Sequence, residues 1–219
     1  MSMTTRRGLF LTFEGLDGCG KTTQMRMLAE RLRAAGDTVI ETAEPGGTDI
    51  GGAIRRILLD PANHHLSPTA EMLLYFAARA QNVDEIVTPA TARGEIVLCD
   101  RWTDSTWAYQ GYGRALGVDV IRTLDRIACR GRQPDLTLWI DVDLETSLGR
   151  AKSRNVQEDS ADTRMDDQSR AFYERVLQGY QALEAEEPGR VVRVDGRGDL
   201  ETVAGRVWQV FHDYRELHV

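Results

Sequence analysis

Gly15-Leu16-Asp17-Gly18-Cys19-Gly20-Lys21-Thr22 has the glycine spacing and the closing Lys-Thr pair of a phosphate-binding P-loop. Its flanks decide the fold. Residues 9–14 are an apolar run of strand length, and an amphipathic helix opens near Thr22, carrying Met25, Leu28, Leu32 and Ala35 on one face until Gly36. Glycines at the first, fourth and sixth positions let successive backbone N–H groups turn inward on a phosphate. Lys21 can then reach the β/γ oxygens, and the Thr22 hydroxyl can ligate Mg²⁺. The strand before and the helix after set the loop apart from a glycine-rich turn that only caps a helix. Gly15, Leu16, Asp17, Gly18, Cys19, Gly20, Lys21, Thr22 and the following Thr23 are therefore expected to bind ATP.

Outward from the loop, strand and helix patterns alternate with no repeat and no low-complexity linker. Thr38 to Thr42 reads as a second strand, and Ile50, Ile54, Ile57 and Leu58 form a helical stripe that stops at Asp60-Pro61. Ser67-Pro68 is an N-cap followed by proline at the first helical position. From there Met72, Phe76, Ala80, Val83 and Val87 run at helical spacing to Thr88-Pro89. Ile96 to Cys99, Leu136 to Val142 and Val191 to Val194 complete five strands. Helices are expected from Leu144 to about Arg154, from Gln168 to Glu186, and from Asp199 to about Leu217, the last with Leu200, Val203, Val207, Val210 and Phe211 inside. This is an α/β pattern: a five-stranded parallel sheet covered by helices on both faces, in a single P-loop domain spanning residues 1–219, with ligands at the carboxyl ends of the strands.

Composition narrows the partners. The formal net charge of -7 argues against a general nucleic-acid binder and for small ligands. The three cysteines show no metal-ligand spacing and fit a reducing compartment, and His64, His65, His212 and His218 read as surface residues. No apolar run approaches membrane-spanning length, and Met1 to Arg7 is too short and polar for a secretory leader. A cytoplasmic location with no membrane partner is expected.

Three further segments carry chemistry: Glu44-Pro45-Gly46-Gly47-Thr48, Leu74-Tyr75-Phe76-Ala77-Ala78-Arg79-Ala80-Gln81, and Asp100-Arg101-Trp102-Thr103-Asp104-Ser105-Thr106-Trp107-Ala108-Tyr109-Gln110-Gly111. Asp100 and Arg101 leave a buried strand near the P-loop, where an acid beside Mg²⁺ and a guanidinium beside phosphate serve phosphoryl transfer. A planar fork can bridge two oxygens and offset the repulsion of donor and acceptor anions. Tyr75 and Arg79 lie four apart on a helix, so an aromatic plane and a forked donor share a face.

In order and at these separations, the segments and the P-loop resemble the thymidylate kinase family over essentially the whole chain. The resemblance implies a Mg²⁺-dependent transfer of the γ-phosphoryl of ATP to dTMP, giving dTDP and ADP for dTTP synthesis, by a homodimer. It implies that Tyr75 stacks on thymine, that Arg79 hydrogen-bonds its O4, and that Arg101 binds the acceptor phosphate. Asp17 then meets the sugar 3′-hydroxyl and Tyr109 sits against C2′, with Ser105, Thr106 and Gln110 beside them. Lys21, Arg101, Arg154 and Asp100 are the expected catalytic residues, and Thr22 and Asp100 the expected metal ligands.

Arg150-Ala151-Lys152-Ser153-Arg154, a polar stretch and Arg164 look like a kinase lid over about residues 150–166. Because the P-loop carries no arginine at its variable positions, Arg154 with Arg150 is expected to neutralise the transferred phosphoryl once the lid closes. The chain departs from the family at Ala43, often arginine there, and at Trp102. Two rivals follow from the residues alone: a P-loop kinase for another nucleoside monophosphate or a deoxynucleoside, and a nucleotide-operated switch or ATPase. A GTPase is disfavoured because no Asn-Lys-x-Asp motif follows the later strands.

Overall fold

The computed structural model describes residues 7–158, 164–165 and 168–218, without the side chains of residues 154–158. Its strands are β1 (Leu9–Glu14), β2 (Val39–Ala43), β3 (Ile96–Asp100), β4 (Leu136–Asp141) and β5 (Val191–Asp195). They form one sheet in the order β2-β3-β1-β4-β5, with every pairing parallel. The alternation along β1 splits the interior in two. Leu9, Leu11 and Phe13 pack toward α1 (Lys21–Ala34) and α9 (Leu200–His218), whereas Phe10 packs with residues of α3 (Pro68–Asn82), α6 (Val118–Cys129) and α8 (Arg170–Glu186). Thr12 is buried mid-strand, where its hydroxyl pairs with that of Thr137 on β4 at 2.7 Å.

β1 lies between β3 and β4, so successive crossovers run to opposite sides of it. The crevice left at its carboxyl end receives the loop that precedes α1. Gly18 shows how tightly that loop is enclosed. At φ +81°, a β-carbon there would lie 2.2 Å from the Ser147 carbonyl oxygen of α7 (Leu144–Glu158).

Several elements differ from the sequence reading. The segment after β3, for which the sequence reading gave no helix, is helical: α5 (Thr103–Thr106) runs directly into a π-helical stretch, Trp107–Gly113. α3 passes through a π-helical turn, Val83–Val87, into α4 (Thr88–Ala92), so the helical path continues beyond Thr88-Pro89. α7 reaches Glu158 rather than ending near Arg154. In α2 (Asp49–Leu59), Ile50 and Ile57 are exposed and Leu58 and Leu59 supply the buried contacts, because the helix lies at the edge of the cavity against α3. Leu200 is exposed at the first turn of α9, outside the Val203, Val207, Phe211 stripe.

Candidate active site

The loop after β1, the loop after β2 and the end of β3 open onto a cavity of about 810 Å³. Asp17, Gly18, Gly20, Lys21, Thr22 and Thr23 line it, and so do Tyr75, Arg79, Asp100, Arg101, Ser105, Thr106, Tyr109, Gln110 and Arg150. Gly15, Leu16 and Cys19 do not; the Leu16 and Cys19 side chains are buried in the two cores, leaving backbone as what they offer a phosphate. Position 154 lies on α7, but its side chain lies outside the described residues, as do positions 159–163 and 166–167 of the expected lid.

Lys21 is buried at the helix start, its ammonium 3.5 Å from the Leu16 carbonyl and from Asp17 Oδ1. Beside it the Thr22 hydroxyl donates to Asp100 Oδ2, which brings together the two hard oxygen donors expected to hold a metal. No group of three or more His, Cys, Asp or Glu suited to a metal occurs among the described residues. One hydroxyl and one carboxylate fit Mg²⁺, which keeps several waters and takes much of its coordination from substrate phosphates.

Arg101 stands where β3 ends, at φ +72°, a backbone region uncommon for a residue with a side chain. Its amide donates to the Phe13 carbonyl at 3.0 Å, which holds the turn against β1. The guanidinium Nη2 donates to Asp17 Oδ1 at 2.8 Å and to the Tyr109 hydroxyl at 3.3 Å. Nη1 donates to Ser105 Oγ at 2.8 Å. Behind this fork lies Glu14, fully buried, accepting from the Trp102 amide at 2.7 Å, the Ser105 hydroxyl at 2.5 Å and the Tyr180 hydroxyl at 2.9 Å. Burial, aided by the Asp104 charge, pushes the Glu14 carboxyl up against the opposing pull of Arg101, Ser105 and Tyr180.

Arg79 is 1% exposed, and its Nε and Nη1 find no acceptor among the described residues. The guanidinium sits 5.0 Å from the Phe76 ring centroid and 5.4 Å from that of Trp102, so the Trp102 departure packs against Arg79. Glu44 is also buried, with Oε1 held by Asn82 Nδ2 at 2.7 Å and Oε2 without a partner among the described residues. Burial raises its pKa to about 8 despite Arg79 and Asn82. Burial likewise lifts Tyr75 to about 12, so its ring stays neutral. Buried donors without acceptors are rare in native proteins, and at a cavity wall they call for a ligand.

Sequence reasoning gave no role to Arg55, which lines the cavity, or to Glu14 and Glu71 behind its wall, and named Glu44 only within the segment 44–48. Arg55 of α2 lines the cavity and donates to the Pro45 carbonyl at 3.1 Å. Glu71 lies four residues before Tyr75 and eight before Arg79 on α3, a spacing that places all three on one face. Arg164 is not displayed to the cavity as a free basic group. It is 6% exposed, its Nε donates to the Leu58 carbonyl, and its Nη2 donates to Glu71 at 2.7 Å.

Residues 13–207 match the family model for thymidylate kinase. The chain is 48% identical over 204 residues to a thymidylate kinase of Synechococcus sp. (strain JA-2-3B'a(2-13)), covering 92% of this chain and 93% of that relative. It is 50% identical over 194 residues to a thymidylate kinase of Citrifermentans bemidjiense, covering 88% and 86%. The crystal structure of thymidylate kinase from Ehrlichia chaffeensis superposes with a TM-score of 0.75 at 32% identity, over 94% of this chain and 98% of that one.

Proposed function

The chain belongs to the thymidylate kinase family, and we propose that it moves the γ-phosphoryl of ATP onto the 5′-phosphate of dTMP, releasing dTDP on the route to dTTP. One observation carries the reading: the P-loop and the Tyr75, Arg79, Gln110 set line the same cavity, with Arg101 between α5 and the loop carboxylate. In-line transfer asks the protein chiefly to position two anions and offset their charge. Lys21 and the loop amides serve the ATP phosphates. Arg101, fixed at both ends of its fork, serves the acceptor phosphate, and Arg55 adds positive charge to the same cavity.

The donors of Arg79 suit a carbonyl oxygen such as thymine O4, and Tyr75 offers a neutral ring for stacking. Asp17 and Tyr109, already within 3.4 Å of each other, support contacts with the deoxyribose. Mg²⁺, held through Thr22 and Asp100, would supply charge neutralisation across the β- and γ-phosphates. Arg150 lines the cavity, and Arg154 follows one helical turn later on α7; we assign these two to the transferred phosphoryl. Exposed Ile50 and Ile57 on α2 and Leu73 on α3 support a homodimer, which light scattering tests. No helix among the described residues is long and apolar enough to cross a membrane, and a cytoplasmic enzyme is the corresponding proposal.

A coupled ADP-release assay with ATP, Mg²⁺ and a panel of nucleoside monophosphates tests the assignment. ADP formation that depends on dTMP above other acceptors is expected. Equal rates without an acceptor would favour an ATPase or switch.

A further inference from the structure

Glu71 is completely buried and is not among the residues that line the cavity. It collects donors from three parts of the chain. Gln110 Nε2 donates to Oε1 at 2.8 Å, Arg114 donates to both oxygens at 3.1 Å, and Arg164 Nη2 donates to Oε2 at 2.7 Å. Burial pushes this carboxyl up, but the hydrogen bonds from Arg114, Gln110 and Arg164 outweigh it and hold the group below its usual range. It is therefore a carboxylate, and a carboxylate only accepts.

That has a geometric consequence for Gln110. A glutamine amide has two faces of opposite polarity, and turning its carbonyl toward Glu71 would set oxygen against oxygen. Only the NH₂ can face Glu71. The Gln110 side chain makes no other hydrogen bond among the described residues, and Gln110 lines the cavity, so its Oε1 is the polar atom left for a ligand. A lone glutamine could flip and accept either polarity; this one is held by a group that is itself clamped by two arginines.

We propose that Glu71 is a specificity-determining positioning residue, which fixes the Gln110 amide so that its carbonyl oxygen selects a pyrimidine bearing a hydrogen on ring N3. Arg79 lines the same cavity with unpartnered donors, so the cavity offers a base both donors and an acceptor. Thymine and uracil present the complement, O4 as acceptor and N3–H as donor. Cytosine presents an amino donor at C4 and a bare N3, so both contacts become repulsive. The inference rests on the reading of Gln110 as a base contact. Arg164 shares the Glu71 carboxylate and so helps hold the selectivity of the base pocket.

The test is steady-state kinetics of the whole enzyme with dTMP and dCMP for wild type, Glu71→Gln, Gln110→Leu and the double variant. Glu71→Gln offers Gln110 a partner of either polarity. It should lower the ratio of kcat/KM for dTMP over dCMP by roughly tenfold or more, since sites built on oriented polar groups reject the wrong pattern strongly. The change should fall on KM for the monophosphate, with KM for ATP nearly unmoved. Gln110→Leu should lower the ratio too, and the double variant should lose no more than Gln110→Leu alone. A lowered ratio in Gln110→Leu with an unchanged ratio in Glu71→Gln overturns the positioning role. Unaltered dTMP kinetics in Gln110→Leu would instead overturn the base-pocket reading beneath it. Should Glu71→Gln fail to fold, the side-chain amide of Gln110 in isotope-labelled wild type decides by NMR. Slow exchange of its NH₂ protons with water and a rigid side-chain N–H vector in relaxation measurements are expected, and a freely exchanging, mobile side-chain amide rules out a fixed one.

Discussion

Arg101 Nη2 and Asp17 Oδ1 lie 2.8 Å apart and join the end of β3 to the phosphate loop after β1. Asp17 also approaches Lys21 at 3.5 Å, so one carboxylate lies between the cation assigned to the donor phosphates and the one assigned to the acceptor. The acid inside the P-loop thus offsets the repulsion between two positive groups and holds both at the phosphate loop. Such pre-organisation lowers the cost of bringing two anions together.

Arg101→Lys retains the charge but loses the fork that reaches Ser105 and Asp17 together. A lysine satisfies one anchor at a time and leaves the acceptor phosphate less well placed. We expect kcat/KM for dTMP to fall roughly a hundredfold, the scale of a misplacement of about 1 Å. The ADP-release assay checks this, and a near-wild-type value would mean that charge alone suffices at this position.

Arg79→Ala should weaken dTMP by about 1.5 to 3 kcal/mol, the worth of a charged hydrogen bond, while ATP binding stays unchanged. Isothermal titration with each ligand separately reads both affinities. Equal losses for the two would show that Arg79 holds structure, through Phe76 and Trp102, rather than the base.

The five strands, their parallel sense and the P-loop were legible because each follows from a periodic pattern or a local spacing; the strand order was not. Apolar runs bounded by breakers made the strands, and the loop glycines stood at fixed offsets. The stretch after Arg101 was not legible as helix. Trp107 to Gly113 is π-helical and buried almost throughout, so it lacks the one-sided pattern by which a surface helix announces itself. Glu14 and Glu71 were passed over for a different reason. A buried carboxylate is recognisable only by its donors, and these come from Ser105 and Tyr180, or from Arg114 and Arg164, far away in sequence. The Ile50 and Ile57 stripe misled because apolar residues at helical spacing do not say whether the face they make meets the core or lies outside it.

Glu44 predicts a pH dependence of stability. In the folded protein its proton is held up to about 8, whereas an unfolded carboxyl releases it near 4.5. Between those values the native state binds more protons than the unfolded one, so this group makes the protein less stable as pH rises through the window. Glu44→Gln is neutral throughout and still offers Asn82 an acceptor, so it should remove this contribution. Thermal midpoints of the ligand-free protein, measured across the window, should decline less steeply in the variant. Parallel declines would mean that Glu44 is already ionised in the fold, paired with Arg79.

The last prediction concerns α7. Ser147, Arg150 and Ala151 all approach Gly18, so the start of this helix is seated on the P-loop, and Arg150 lines the cavity. Arg154 follows four residues later, about 6 Å along the same helical face. The P-loop variable positions carry no arginine and Arg164 is committed to Glu71, and the proposed role of the Arg150, Arg154 pair is to meet the charge that builds on the transferred phosphoryl. An arginine acting this way is worth about 10³ to 10⁵ in rate. Arg154→Ala should therefore depress kcat by orders of magnitude while Kd for dTMP barely moves, because the contact matures in the transition state rather than in the ground state. Arg150→Ala should also raise KM for ATP, since that residue already lines the cavity. Single-turnover kinetics with titrated dTMP separates the two effects. A kcat for Arg154→Ala within about threefold of wild type is too small a loss for such a group, and the charge would then have to come from Arg101 and Arg55 on the acceptor side.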